Sequence, residues 1–377
     1  MRVLTFDVGV GTIDTLIWDS KEPNFYKLVL PSPCQYISTK IKRTKTDILV
    51  DGIEMGGYPV SRALIDHVKK DFKVYVYGNA WKTIKYDRNY VLNTGIEIID
   101  NKETYYELLN KENITRIQLT DVEIEYFFDI FQKFEIDSNF DFIGVAVQDH
   151  GVPDIKNDDS KYDKENKEDK SSKVSKINKE RRGAKNFRHD WMVSILEKSP
   201  EFNSFLFRYD EVPEFLSRSR EITRYLNRKT GVPVFVVDTV IAASKGCLYN
   251  SVNVPNIIAI DIGNGHTCGF SVSGNEILGY FEYHTASITP EKLEYAVNKL
   301  INGDLSNEEI QNMGGHGAYV RKSIKSDYKI IVTGPRRNII KKSKLEYVLG
   351  APFGDHMITG AVGILKMILE RVNSSID

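Results

Sequence analysis

Two short stretches hold the residue types that phosphate chemistry needs. "DVGVGTID", from Asp7 to Asp14, and "DIGNGHT", from Asp261 to Thr267, each close an apolar run with an Asp followed by Gly-x-Gly. A chain that turns through Gly-x-Gly exposes consecutive backbone N–H groups with no Cβ in the way, a concavity suited to phosphate oxygens. Gly9, Gly11 and Thr12 are the candidate cradle in the first stretch, and Gly263, Gly265 and Thr267 in the second, with both threonines adding hydroxyl donors. Asp7 and Asp261 stand at the strand ends, where they suit magnesium, a cation that keeps several waters and takes few carboxylates. One such stretch is ordinary turn chemistry. Two of them, each between a strand and a following hairpin, form a pair able to grip a polyphosphate from both sides.

The histidines are a second source of chemistry. Of the seven, His150, His266, His284, His316 and His356 lie in polar, Gly- or Thr-flanked segments at expected strand ends or loops, whereas His67 and His189 do not. Gathered in a cleft, they would serve as general acid or base, phosphate donors or metal ligands. Otherwise each braces its own loop. His266 is embedded in the second glycine stretch, within reach of a terminal phosphate, and His150 ranks next. No short His-x-x-x-His or Glu-x-x-His pair supports a metal site. Gly56 and Gly57, before a helix, make either an anion site or a plain helix entry. "NMGGHGAYVRK" reads as a plain turn or as a flexible lid.

The elements that must position these residues follow from apolar periodicity. "VLTFDV", "TLIWD" and "FYKLVL" predict a strand meander, followed by helix "PVSRALIDHVKKDF", strand "KVYVYG", helix "DVEIEYFFDIFQKF" and strand "FDFIGVAVQDHG". Residues 154–190 have almost no apolar side chains over most of their length and predict a charged, disordered insertion. Helices "RHDWMVSILEKS" and "LSRSREITRYLNRKT" come next, then a strand that ends at Asp238 and runs into a helix carrying Ala242, Ala243 and Gly246. A second meander, "NIIAIDIG", "TCGFSVSG" and "EILGYFEYH", echoes the first and is followed by a helix, strand "YKIIVTG" and a last helix. The expected organisation is a duplicated α/β protein, with one domain over 1–150, the insertion over 154–190 and a second domain over 191–377.

In this order the sequence resembles the superfamily of actin, the seventy-kilodalton heat-shock chaperones, hexokinase and the xylulose and glycerol kinases. Its phosphate 1 motif is similar to "DVGVGTID", connect 1 to "VDTVIAASKG", phosphate 2 to "DIGNGHT", the adenosine motif to "IIVTGPRRNI" and connect 2 to "ITGAVGIL". "IGVAVQDHG" is similar to a strand and loop of the xylulose kinase group. The resemblance implies duplicated ribonuclease H-like, actin-like ATPase domains around an interdomain cleft, with ATP and Mg2+ as cofactors. It also implies that Asp7 and Asp261 organise the metal and that Asp238 is the acidic residue opening connect 1. Gly334 would turn beneath the nucleoside, with Arg336 and Arg337 close to base or ribose. His266 stands where Thr is usual, Cys268 replaces a second Asp, and Pro335 removes one N–H donor from the adenosine turn.

A narrower resemblance joins "QDHG", "GNGHT", "EYHT", "GGHGA", "TGPRR" and "APFGDHM" to an archaeal family whose members sometimes carry the label pyruvate formate-lyase activating enzyme. That label implies an iron–sulfur cluster held by a Cys-x-x-x-Cys-x-x-Cys run. The three cysteines, Cys34, Cys247 and Cys268, are too far apart to form one.

Lys and Arg number 51 against 52 Asp and Glu, so no overall field favours nucleic acid or an acidic membrane. An odd, scattered cysteine set, with neither a signal-peptide pattern nor a membrane-length apolar run, predicts a soluble cytoplasmic protein. The expected function is a magnesium-dependent phosphotransferase acting on a small molecule, or an ATPase, with Asp7, Asp261, Asp238, Asp149, His150 and His266 as catalytic candidates. The alternatives are a nucleotide-gated binding protein that docks a protein partner with little turnover, and a His-rich metal-dependent hydrolase on the same fold.

Overall fold

The computed structural model describes residues 1–22, 25–152, 187–250, 254–324 and 327–373. The chain opens with the expected meander, β1 (Arg2–Val8), β2 (Thr12–Asp19) and β3 (Tyr26–Pro31). It then runs α1 (Pro33–Arg43), β4 (Asp47–Gly52), α2 (Tyr58–Val68), β5 (Val74–Tyr77), α3 (Arg88–Asn93), β6 (Glu97–Ile99), α4 (Lys102–Leu109), β7 (Ile114–Leu119), α5 (Ile124–Lys133) and β8 (Phe142–Ala146). A helix over residues 187–198, α6, leads to β9 (Phe207–Arg208), α7 (Ser217–Thr230), β10 (Val234–Val237) and α8 (Thr239–Cys247). The second meander is β11 (Asn256–Ile262), β12 (His266–Ser273) and β13 (Glu276–His284). After it come α9 (Pro290–Asn302), α10 (Asn307–Asn312), β14 (Gly315–Val320), β15 (Tyr328–Thr333), β16 (Val348–Leu349) and α11 (Thr359–Asn373).

These strands make two six-stranded sheets, β3-β2-β1-β8-β10-β9 and β14-β13-β12-β11-β15-β16. In each, an antiparallel meander is extended by parallel strands laid beside its first member, β8 on β1 and β15 on β11. The parallel strands β8 and β10 lie between layers, so they read as nearly continuous apolar runs rather than alternating ones. The shared strand order makes this the duplicated ribonuclease H-like fold of the actin-like ATPases.

Helices α8 and α11 fill the seam between the sheets. α11 packs on β1 and β8, α8 packs on β11 and β15, and the two helices pack on each other. Their approach is close enough to require glycine. A Cβ on Gly246 would lie 1.9 Å from the Thr359 carbonyl oxygen, and one on Gly363 would lie 1.8 Å from that of Ala242. Around this pair a single core joins Val3 and Leu16 of the first sheet to Phe270 and Tyr280 of the second. The outer face of the first sheet is covered by α5 and α7, and that of the second by α9.

The structure departs from the sequence reading in several places. Between β3 and β8 the chain builds a separate parallel sheet, β6-β5-β4-β7, of which only β5 was expected. Its other strands are short or carry charged residues among the apolar ones, and they gain their apolar surroundings from α1, α2 and α3 on one face and α4 on the other. β9 and β10 pair within the first sheet, so that sheet draws strands from beyond the expected boundaries at 150 and 191. Most of the expected insertion, 154–186, lies outside the described residues. Its last four residues, 187–190, are helical and belong to α6. The stretch read as a turn or lid at 313–322 contains β14, an edge strand paired with β13. Among the described residues, no helix is long and apolar enough to cross a membrane.

Candidate functional site

The two glycine stretches have the same backbone construction. Gly9 N–H donates to the Thr12 carbonyl at 2.9 Å, and Gly263 N–H donates to that of His266 at 2.9 Å. Asp7 pairs across its hairpin with Asp14, and Asp261 with Cys268. Thr12 and His266 therefore occupy equivalent positions. The turns also face each other, since a Cβ on Gly11 would lie 2.2 Å from Asn264 Nδ2 and one on Gly265 would lie 3.3 Å from Val10 Cγ2.

Three carboxylates converge behind these turns. Asp7 accepts from the Thr239 hydroxyl at 2.6 Å, so the first residue of α8 holds it. Gly360 in α11 leaves room for Asp7, because a Cβ there would meet its Oδ2 at 1.9 Å. Gly334, at φ +93°, does the same for Asp261, whose Oδ1 would lie 2.5 Å from a Cβ. Burial pushes Asp7 up to about 6, with the Thr239 bond opposing and Asp238 adding to the shift. Burial and then the Asp7 charge push Asp261 up to about 7. Asp14, which sequence reasoning left out, is pushed up to about 8 by burial and next by Asp7. The Asp14 Oδ1 atom is buried without a hydrogen-bond partner among the described residues. Carboxylates that raise one another's pKa, one with an orphaned oxygen, fit a hydrated magnesium ion, whose charge would reverse those shifts.

On the other side of the second turn, Arg336 N–H donates to the Ile262 carbonyl at 2.9 Å, and Arg337 Nη1 to that of Gly334 at 3.0 Å. The adenosine-like turn is thus tied to the strand that carries Asp261.

Several of the expected site residues are held by bonds to the surrounding structure. Thr267 is fully buried, and its hydroxyl is bonded to Thr285 Oγ1 at 3.0 Å, so it braces the turn from behind instead of facing a phosphate. Both Asp149 oxygens accept backbone N–H groups, from Gly151 and Ser219, each at 2.9 Å. Asp149 is therefore held as a buried brace at the start of α7, with one backbone bond on each oxygen. Asp238 caps α8 by accepting from Val240 N–H at 3.0 Å, and it also accepts two bonds from Arg188. Gly56 N–H donates to Asp121, itself paired with Arg218, so that glycine pair is a helix entry.

Arg188 is the main residue that sequence reasoning missed, because it fell within the expected insertion. It is buried and bridges Asp238, at the end of β10, to Glu282 on β13, at 2.9 and 2.5 Å. Gln148 Nε2, beyond the end of β8, also donates to Glu282 at 3.0 Å. Burial works against the Glu282 charge, but Arg188, then His266 and His316, hold its pKa down at about 2.

His266, His284 and His316 lie beside this bridge, their ligating atoms all within 4.8 Å of one another. The His150 ring is 6.4 Å from that of His266. His150 keeps an exposed edge, yet enclosure by the cleft walls, followed by the Arg188 charge, holds its pKa well below the usual range. His356 stands apart, its carbonyl accepting from the Thr333 and Thr359 hydroxyls. His67 bonds the Thr46 carbonyl in the small domain. His189, not expected at the site, bonds Tyr280 at 2.7 Å behind the cluster and helps to line a cavity of about 10 Å³ with His150, Arg188, Glu282 and His316.

Comparison with solved structures finds a Bacteroides thetaiotaomicron protein with an actin-like ATPase fold and unknown function, at 6% identity and a TM-score of 0.35, covering 98% of this chain and 95% of that one. An Aquifex aeolicus member of the Ppx/GppA family matches at 10% identity and a TM-score of 0.29, covering 89% of this chain and 66% of that one. No curated protein matches the chain. A family profile described as "Putative pyruvate format-lyase activating enzyme (DUF1786)" matches residues 55–166 and 177–339. The activity in that description does not fit the residues present. Cys34, Cys247 and Cys268 are buried in three different elements, with burial pushing each thiol up, so they offer no thiolate set for an iron–sulfur cluster. With the match spanning well over half of its length, the chain belongs to this DUF1786 family.

Proposed function

We propose that the chain binds ATP with magnesium in the cleft between the two sheets and turns it over, as a phosphotransferase acting on a small hydroxylated molecule or as an ATPase. The observation that carries this reading is the pair of matched glycine turns facing each other over Asp7, Asp14 and Asp261. Phosphoryl transfer requires positioning and charge stabilisation more than covalent help from the protein. A bound magnesium ion would neutralise phosphate charge, and Asp7 and Asp261 would hold its waters, with Asp14 behind them. The backbone of residues 9–12 and 263–266 would orient the phosphates. Gly334, with Arg336 and Arg337, would seat the nucleoside against β11. With its pKa held below the usual range by enclosure and then by the Arg188 charge, His150 would orient an attacking hydroxyl or water by a hydrogen bond.

The test is calorimetric titration of the protein with a non-hydrolysable ATP analogue, with and without magnesium, alongside Asp7→Asn. Magnesium-dependent binding that is lost in the variant is the expected result. Equal heats from both proteins would sink the reading. A second reading, nucleotide-gated docking of a partner with little turnover, is favoured by Cys268 standing where the first copy has Asp14. Steady-state phosphate release, with Asp261→Asn as control, separates the two. Release abolished by the substitution means turnover, and binding without release means gating.

A further inference from the structure

Three elements converge on the histidine cluster by construction. His266 opens β12 directly after the second glycine turn, and it pairs across the ladder with His284, the last residue of β13. Directly opposed residues put their side chains on one face of a sheet. β14 then pairs with β13 through a register shift, with Gly317 opposite Glu282 but Gly315 opposite Tyr283. His316 is the extra residue of that bulge, and a bulge re-aims the side chain it carries. Ring centroids lie 4.8 Å apart for His266 and His284, 5.0 Å for His266 and His316, and 4.1 Å for His284 and His316.

We propose that His266, His284 and His316 form a binding site for a zinc-like dication, with its fourth coordination position open to water or to an oxygen of a phosphate-like anion. Imidazole nitrogens suit zinc above magnesium. Tetrahedral zinc at roughly 2.0–2.1 Å from each nitrogen needs ligand atoms about 3.3 Å apart, which small rotations of these side chains supply from their present spread. Three protein ligands with one open position is the arrangement of catalytic rather than structural zinc. The Glu282 carboxylate lines one small cavity with His316 and His150. Arg188 and Gln148 fix it in place, as a carboxylate behind metal-bound histidines requires. His150, from the loop after β8, borders the side on which a ligand would enter. This site is separate from the Asp7 and Asp261 carboxylates and does not depend on nucleotide occupying the cleft.

The probe is ZnCl2, titrated by calorimetry into chelator-stripped full-length protein without nucleotide or magnesium. About one equivalent is expected to bind per chain, as a single closed set of three ligands implies. His284→Ala and His316→Ala are each expected to weaken binding by roughly tenfold or more, a loss of at least the size seen when residues merely supporting metal ligands are removed. His284 is exposed, so its variant keeps the fold, and thermal melts of the metal-free variants verify this. His356→Ala, outside the cluster, is expected to bind zinc as the parent does. No binding, or binding unchanged in both cluster variants, would overturn the site. Cobalt in place of zinc should give a four-coordinate absorption spectrum that changes when inorganic phosphate is added, and a spectrum indifferent to phosphate would overturn the open position.

Discussion

Glu54 shows how a single buried carboxylate couples this fold to pH. It accepts from the Tyr86 and Ser217 hydroxyls, and burial, with Asp149 nearby, pushes it up to about 7 from an unfolded value of 4.5. The folded state therefore holds a proton that the unfolded state releases earlier. Its stabilising share is fully present below pH 4.5 and is lost as pH rises through about 7. The loss amounts to up to about 3 kcal/mol. Denaturant midpoints at pH 5 and pH 8 should differ less in Glu54→Gln than in the parent, and identical differences would remove Glu54 as the cause. Residue identity alone said nothing of this. Glu54 directly precedes the Gly56–Gly57 stretch without being a candidate in it, and its partners come from Tyr86 and from Ser217 at the start of α7, 163 residues along the chain.

At the scale of elements, α11 has two separable duties. Gly363 allows the close crossing with α8, and a methyl group there would press on a backbone carbonyl that cannot rotate away. Gly363→Ala should cost about 1–3 kcal/mol or more of stability, read as a fall in the denaturant midpoint. Gly360 instead makes space for the Asp7 carboxylate. Gly360→Ala should displace that side chain and weaken magnesium-dependent nucleotide binding while the fold persists, measured by the same calorimetry as for Asp7→Asn. Unchanged binding would mean that Asp7 is not held where the cleft needs it. The small-residue run "ITGAVGIL" carried part of this in advance, since closely spaced glycines and alanines on a helix mark a close approach. Which glycine faces a helix and which faces an aspartate depended on the crossing itself.

Over the whole molecule, Arg188 ties the end of the first sheet's β10 to β13 of the second. Removing it leaves Asp238 and Glu282 buried without their shared cation, so Arg188→Ala should cost about 3–5 kcal/mol. A melting temperature close to the parent's would show that the bridge is dispensable. The amino-acid sequence by itself determined both meanders, the two Asp-x-Gly-x-Gly turns and the order of their copies. Apolar periodicity and glycine turns are local signals that act within a few residues of where they are written. Only the tertiary structure decided that Asp14 joins Asp7 and Asp261, that Thr267 and Asp149 face inward as braces, and that β14 brings His316 to His266 and His284. Those outcomes depend on strand register and on contacts between segments distant along the chain, 70 residues for Asp149 with Ser219 and 232 for Asp7 with Thr239. A one-residue slip at the β13–β14 bulge would have sent His316 to the opposite face.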